Sequence, residues 1–294
     1  MRHLNERMYK TFDECHTKRV SYILTTKNRP DFLRTTLEHI KTLLTSDDEL
    51  LIIDGGSGAD VYQVLKEYSD MIQEVVSEPD ISLAHALNKG ILLAQGNYIR
   101  HITDDDVMHA NGIEQAIAVM ESHPEVDLLI CGGIKQVKKK YAMVCLSPNT
   151  NYGKNPKDVF IYGASGAGFV IRRSVFAKVG LFSLKEAADT EFAARCIYQK
   201  ASVKFSRINL YHHPIYPHSV IMSKSVLHTR DRYRIMRQYC STSFYVKHRI
   251  LAYIMAIPHI SFLWKKSKKL LGMKSKWNPL PVQYDQHVWD GGFS

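Results

Sequence analysis

The chain has 294 residues, 45% of them hydrophobic and 23% charged, with a formal net charge of +10. That size and balance describe a soluble globular protein of one large domain or one and a half, and exclude a disordered or fibrous chain. Five cysteines, odd in number and without a CxxC pair, argue against a disulfide framework or a zinc site and for a reducing compartment.

Met1 to Lys18 is polar and charged and lacks the apolar core of a signal peptide. Val20 to Thr26 is then a short apolar run rich in β-formers, broken by Lys27-Asn-Arg-Pro30. From Asp31 to Leu44 the apolar residues Phe32, Leu37, Ile40 and Leu44 recur at helical spacing, and Pro30 with Asp31 suits a helix start. Leu50 to Ile53 is a second strand, closed by the turn Asp54-Gly-Gly-Ser-Gly58. A helical face follows at Val61, Leu65 and Tyr68. Next come a strand over Ile72 to Ser77, a helix over Ile81 to Ala94 and a strand over Asn97 to Thr103. A helix over Ile113 to Met120 and a strand over Asp127 to Cys131 continue the alternation. Strands alternating with helices of this length predict βαβ units and a mostly parallel sheet.

Ligands of such sheets bind beyond the carboxyl ends of the strands. Those ends carry Thr25 and Thr26, Asp54, Glu78 and Asp80, and the triplet Asp104-Asp105-Asp106. Three adjacent carboxylates repel one another, and a hard divalent cation, Mg²⁺ or Mn²⁺, would offset that repulsion with the help of substrate phosphates. An acidic cap on the next helix is the competing reading.

After Gly133 the pattern changes. Lys138 to Leu146 reads as a hairpin arm and Asn149 to Pro156 as a loop. Gly163, Gly166 and Gly168 lack dinucleotide-fingerprint spacing and allow close backbone approach to a ligand instead. Phe169 to Arg172 is a strand, Ala187 to Tyr198 a helix with Asp189 and Glu191 near its start, and Val203 to Ile208 a last strand. Tyr211-His-His-Pro-Ile-Tyr-Pro-His218 follows it, with no zinc-like spacing.

Six stretches stand in one order: Ile23-Leu-Thr-Thr-Lys-Asn-Arg29, Leu51-Ile-Ile-Asp-Gly-Gly-Ser57, Ser77-Glu-Pro-Asp80 with Ala86-Leu-Asn-Lys-Gly90, Gly96-Asn-Tyr-Ile99 before the triplet, Gly168 to Phe176, and Ala188-Asp-Thr-Glu-Phe-Ala-Ala-Arg195. Over Val20 to His218 the chain resembles the family 2 inverting glycosyltransferases of the GT-A fold, most of all those that build bacterial surface polysaccharides. It departs from the family pattern at Thr103, where an Asp often stands, and at Ala188, where a Glu precedes the Asp.

The resemblance implies a GT-A (Rossmann-like) sheet flanked by helices and transfer of a sugar from a nucleotide-diphosphate donor, UDP-linked above all, to a saccharide or lipid-linked saccharide. Thr25, Arg29, Asp54, Asp80, Lys89 and Asp104 would line the donor pocket. Asp105 ranks first as ligand for Mn²⁺ or Mg²⁺, with Asp104 or Asp106 completing the motif and a histidine, His218, joining Asp105 and Asp106 in the metal set. Asp189 would be the general base that inversion needs on the acceptor side, and Gly166, Ala167, Gly168 and Glu191 would shape the acceptor pocket. A retaining transferase on the same fold and a non-catalytic nucleotide- or glycan-binding protein are the alternatives.

Residues 1–220 form the expected catalytic domain and residues 221–294 a basic helical extension. From Arg232 to Tyr284 there are eleven Lys and Arg and no Asp or Glu. Ser223 to Cys240 reads as a helix. Ile250 to Leu263 is apolar, too short and interrupted to span a bilayer, and is followed by Lys265-Lys-Ser-Lys-Lys269. That pairing suits a helix lying on an anionic leaflet, or one packed on the catalytic domain or on a second copy in a homo-oligomer. Trp277 to Ser294 reads as a lid or a loose tail. No nucleic-acid module is present. The expected location is cytoplasmic, with peripheral contact at the inner face of the cytoplasmic membrane as one of the two readings of the C-terminal region.

Overall fold

The structure, a computed structural model, describes residues 18–137, 140–144, 151–185, 187–215 and 225–256. In chain order its elements are β1 (Lys18–Thr26), α1 (Pro30–Lys41), β2 (Glu49–Asp54), α2 (Ala59–Glu67), β3 (Glu74–Ser77), α3 (Leu83–Leu93), β4 (Gly96–Thr103), β5 (Val107–Met108) and α4 (Ala110–Ser122). They continue with β6 (Leu128–Val137), β7 (Lys140–Val144), β8 (Asn151–Tyr152), α5 (Lys157–Tyr162), β9 (Phe169–Arg172), α6 (Val175–Val179), α7 (Ala188–Tyr198), β10 (Val203–Ile215), α8 (Ser225–Tyr239) and α9 (Thr242–Ala256).

The sheet runs β3-β2-β1-β4-β9-β6-β10-β5. β3, β2, β1 and β4 are parallel, as are β6 and β10, and β9 is inserted antiparallel between the two blocks. Side chains of a strand alternate between faces, and here both faces are covered. Ile23, Leu51, Ile53 and Ile99 pack with Leu87 and Ile91 of α3 and Phe192 of α7. Tyr22, Leu24, Leu50 and Ile52 pack with Leu33 and Leu37 of α1 and Ile113 and Ile117 of α4. Double coverage explains why all six residues of β2 are buried and why the strands read as continuous apolar runs. The Asn-Lys-Gly stretch has a packing role of its own. A Cβ on Gly90 would collide with Cγ2 of Ile23, so glycine sets how closely α3 crosses β1. The Asn88 amide exchanges two hydrogen bonds, at 2.8 and 3.0 Å, with the backbone of Phe182.

The chain departs from the sequence expectation at the end of β10 and after Asn149. β10 does not end at Ile208: it passes a bulge between Phe205 and Asn209 and runs on to Ile215, so His212 and His213 lie within the strand. The segment expected to be a loop after Asn149 contributes the two-residue β8, paired with β10, and α5 follows it. The C-terminal α8 packs on the catalytic core, burying Ile235 among the same apolar cluster as Phe192. The expected domain boundary at residues 220 and 221 lies outside the described residues, as do His218, Lys265 to Lys269 and residues 277–294. Of the apolar stretch 250–263 only the part inside α9 is described. No described helix is long and apolar enough to cross a membrane.

Candidate active site

Strand register builds the site. In the parallel block Thr26 pairs with Asp54, Asp54 with Ser77, and Thr25 with Thr103, so the carboxyl ends of four strands stop on one line. The acidic triplet leaves β4 at the end of that line, where each strand hands over to a turn.

All three carboxylates are buried. Thr26 Oγ1 donates to Oδ2 of Asp104 at 2.7 Å, and Thr36 Oγ1 donates to its backbone carbonyl at 2.7 Å. Arg29, the residue before α1, donates Nη1 to Oδ1 of Asp104 and Nη2 to Oδ2 of Asp105 at 3.1 Å, its guanidinium lying 4.0 Å over the Phe32 ring. Burial pushes the Asp104 carboxyl up to about 7, against the opposing pull of Arg29 and the Thr26 hydroxyl. The departure at Thr103 has a structural use. Its Oγ1 lies 2.9 Å from Oδ1 of Asp105 and 2.6 Å from Oδ2 of Asp106, and its N–H donates to the same Asp106 oxygen at 3.2 Å. Asp106 thereby closes the turn that aims Asp105.

Asp54 is held by the turn it opens. Ser57 donates its N–H to Oδ2 at 2.9 Å and its hydroxyl to Oδ1, and Ser77 Oγ donates to Oδ2 at 2.6 Å. Asp80 comes back over the same turn. A Cβ on Gly55 would lie 2.5 Å from Oδ2 of Asp80, so glycine is what admits that carboxylate. Lys89 sits at the rim, 2.9 Å from Glu78 and 3.3 Å from the Pro79 carbonyl.

On the other side of β4, Gly166–Gly168 forms a single 3-10 turn before β9. Its Gly166 N–H donates to Oδ2 of Asp189 at 3.2 Å, and the Thr190 N–H donates to Oδ1 of Asp189 at 2.6 Å. Two residues absent from the sequence expectation support this region. Arg100, fully buried on β4, donates to the carbonyls of Phe169 and, at 3.0 Å, of Ala167, which pins the turn; burial pulls its guanidinium pKa down. His101 Nε2 lies 3.1 Å from Thr25 Oγ1, and burial pushes the ring down to about 4, so it is neutral at pH 7. A Cβ on Gly166 would lie 3.8 Å from His101 Nδ1 and 3.7 Å from Asp189 Cβ, so His101 spans from Thr25 to the Asp189 side of the site. Polar residues inside an otherwise apolar strand were the available signal for both.

Glu191 has another occupation. Its carboxylate takes Arg195 Nε at 2.9 Å and Nη2 at 3.0 Å, and the Tyr239 hydroxyl of α8 at 2.7 Å. It is buried in the α7–α8 contact, so its bonds serve packing rather than an acceptor. His212 is also buried, paired in register with Val107 directly after the triplet.

A divalent cation fits the donor set in one way. Among the described residues no three His, Cys, Asp or Glu side chains form a ready-made cage. Asp105 and Asp106, which share Thr103 Oγ1, offer the hard oxygens of an open site of the kind Mg²⁺ and Mn²⁺ complete with substrate phosphates.

An α/β sheet with helices on both faces and an acidic turn at the end of its fourth strand is the GT-A architecture. The chain belongs to glycosyl transferase family 2, whose profile matches residues 21–180. EpsH of Bacillus subtilis (strain 168) is 25% identical over 219 residues, 70% of this chain and 63% of EpsH. The amylovoran biosynthesis glycosyltransferase AmsE of Erwinia amylovora is 30% identical over 105 residues, 35% of this chain and 40% of AmsE. The chain thus spans less than two thirds of each of these relatives. Staphylococcus aureus TarS 1–349 in complex with UDP-GlcNAc shares the fold with a TM-score of 0.61 at 17% identity, over 75% of this chain and 65% of that one. The mannosyltransferase PcManGT from Pyrobaculum calidifontis, in complex with GDP-Man and Mn²⁺, does so with a TM-score of 0.57 at 14% identity, over 93% and 87%.

Proposed function

We propose that this protein is a metal-assisted inverting glycosyltransferase, moving a sugar from a nucleotide-diphosphate donor to a saccharide or lipid-linked saccharide in surface polysaccharide synthesis. The observation that carries the reading is the single line of strand ends at which Asp54, Thr26, Arg29 and the acidic triplet meet. The UDP-GlcNAc complex of TarS and the GDP-Man and Mn²⁺ complex of PcManGT support a nucleotide-sugar donor and a divalent cation.

Asp54, fixed by Ser57 and Ser77, receives the nucleoside, with Thr25 and Asp80 along the same pocket. Asp104 faces the ribose, and Arg29 and Lys89 face the diphosphate. Asp105 and Asp106 would hold Mn²⁺ or Mg²⁺, with His218 as the expected third ligand. When bound, the cation supplies Lewis-acid stabilisation of the departing diphosphate. Asp189 accepts the proton of the acceptor hydroxyl while that oxygen bonds to the anomeric carbon. The bond from that carbon to the phosphate oxygen breaks, and its electron pair leaves with the nucleoside diphosphate. Gly166 and Thr190 hold the Asp189 carboxylate in one orientation for that transfer. Gly166, Ala167 and Gly168 form the acceptor wall.

NMR of the product tests the stereochemistry. A donor panel supplied with Mn²⁺ should give one sugar whose anomeric configuration is inverted in the product; retention would overturn the single-base mechanism.

A further inference from the structure

α8 and α9 flank an open cleft of about 390 Å³ whose lining includes Arg230, Tyr233, Arg234, Arg237, Tyr245 and Arg249. Four arginines line it, and none of these residues belongs to the acidic cluster. Arg249 is layered between two tyrosines, 4.9 Å from the Tyr233 ring and 5.0 Å from the Tyr253 ring. Among the described residues the carboxylate paired with these arginines is Asp231, which is buried and lies 3.3 Å from Arg234 and 3.9 Å from Arg230. Among the described residues four arginines stand against that one paired carboxylate, which leaves the cleft cationic, and guanidinium forks match phosphate oxygens.

The cleft adjoins an apolar stripe. On α9, Tyr245 and Arg249 are one turn apart and face the cleft. Val246, Ile250 and Ile254 are each one residue beyond that face or one turn further, so they form a stripe about 100° round the helix. They are 43%, 53% and 40% exposed, and Tyr253 beside them is 65% exposed. An arginine-lined cleft beside exposed isoleucines and a tyrosine matches a surface that is anionic at the headgroups and apolar just below.

Charge decides among occupants. Residues 257–294 hold six lysines and two aspartates, and a second copy of this chain carries +10. The lysines of 257–276 and the net charge of a second copy oppose those two occupants, and residues 277–294, with Asp285 and Asp290 and no Lys or Arg, are the competing occupant that the vesicle test must exclude. We propose that the cleft seats the phosphate headgroup of an anionic bilayer lipid, with Val246, Ile250 and Ile254 of α9 entering the acyl boundary. The proposal is independent of the transferase reading, because membrane binding needs no donor.

The test is co-sedimentation of the full chain with vesicles of phosphatidylcholine alone or mixed with phosphatidylglycerol. Binding to the mixed vesicles and not to the neutral ones is expected, weakening as salt rises. Each basic residue at such a surface is worth about fivefold in partitioning, so Arg237→Ala with Arg249→Ala should lower it on the order of 25-fold. Arg237→Lys with Arg249→Lys should keep most of it. Ile250→Ser should weaken binding to mixed vesicles at every salt concentration. If loss of the tyrosine stacking unfolds the alanine pair, the lysine pair and the salt series on the unaltered chain still decide. Equal binding to both vesicles, salt-independent binding, or an unchanged partition of a folded alanine pair would overturn the proposal. So would capture of pyrophosphate or single-stranded RNA without any partition to vesicles.

Discussion

The backbone N–H of Gly166 donates to Oδ2 of Asp189 at 3.2 Å, joining two segments 23 residues apart. The turn that carries this N–H is itself held by the buried Arg100 through the carbonyls of Ala167 and Phe169. Asp189 is therefore a helix-start carboxylate with a fixed direction. Asp189→Asn keeps the shape, and its single amide oxygen can still accept from one of the two N–H groups, Gly166 or Thr190, that the carboxylate holds. Donor binding, followed by calorimetry, should be preserved, while transfer falls on the order of 10²- to 10⁴-fold, the range of a lost general base. Near-normal transfer would move the role to another residue.

Glu191, two residues further along α7, should behave in the opposite manner. It is locked to Arg195 and Tyr239 in the contact between α7 and α8. Glu191→Ala leaves the part-buried Arg195 with only the Val179 and Leu181 carbonyls and the Tyr239 hydroxyl without its acceptor, which costs about 1–3 kcal/mol. Denaturant unfolding should show that loss, and the transfer rate of the fraction still folded should change little.

The two glycines proposed for the acceptor wall should differ in tolerance. A Cβ on Gly166 meets nothing closer than 3.7 Å, whereas one on Gly168 would stand 2.6 Å from the Cys131 carbonyl oxygen. Gly168→Ala must shift backbone and should destabilise by about 1–3 kcal/mol. Gly166→Ala should stay within about 1 kcal/mol. Melting of the two variants side by side separates them.

Asp104 gives a pH dependence with a definite sign. Its carboxyl, raised by burial from 3.8 to about 7, binds a proton in the folded protein that the unfolded chain has already lost. Its contribution to stability is thus fully present below about pH 4 and is lost as pH rises through about 7. In protein without added cation, the unaltered chain should lose more stability between pH 5 and 8 than Asp104→Asn does, measured by thermal melting at each pH. Identical profiles would show that this carboxyl does not carry the dependence.

The parallel block was legible because both its faces are buried, and a strand buried on both faces must be apolar at every position, as Leu51-Ile-Ile53 is. The acidic triplet was legible because like charges placed together need a reason. The end of β10 was not, because its second half contains Asn209, His212 and His213 and is reached through a bulge that no periodicity announces. Arg100 and His101 were visible only as polar residues in an apolar strand, and their roles were not. A strand of eight residues ending in Ile102 and Thr103 reads as core, and the partners that hold Arg100 lie on a turn more than sixty residues later. The occupation of Glu191 was written in the sequence, since Arg195 follows it at the helical i,i+4 spacing. The hydroxyls that aim the carboxylates, Thr26, Ser57, Ser77 and Thr103, follow from register, which a sequence alone does not display.

The most direct measurement is calorimetric binding of UDP and a panel of nucleotide sugars, with and without Mn²⁺, to the unaltered chain and to Asp105→Ala. At least one nucleoside diphosphate should bind, more tightly with Mn²⁺, and Asp105→Ala should remove the metal-dependent part while leaving the fold intact. Binding to none of them, or binding indifferent to both Mn²⁺ and Asp105→Ala, would contradict the assignment of the acidic triplet to the donor diphosphate.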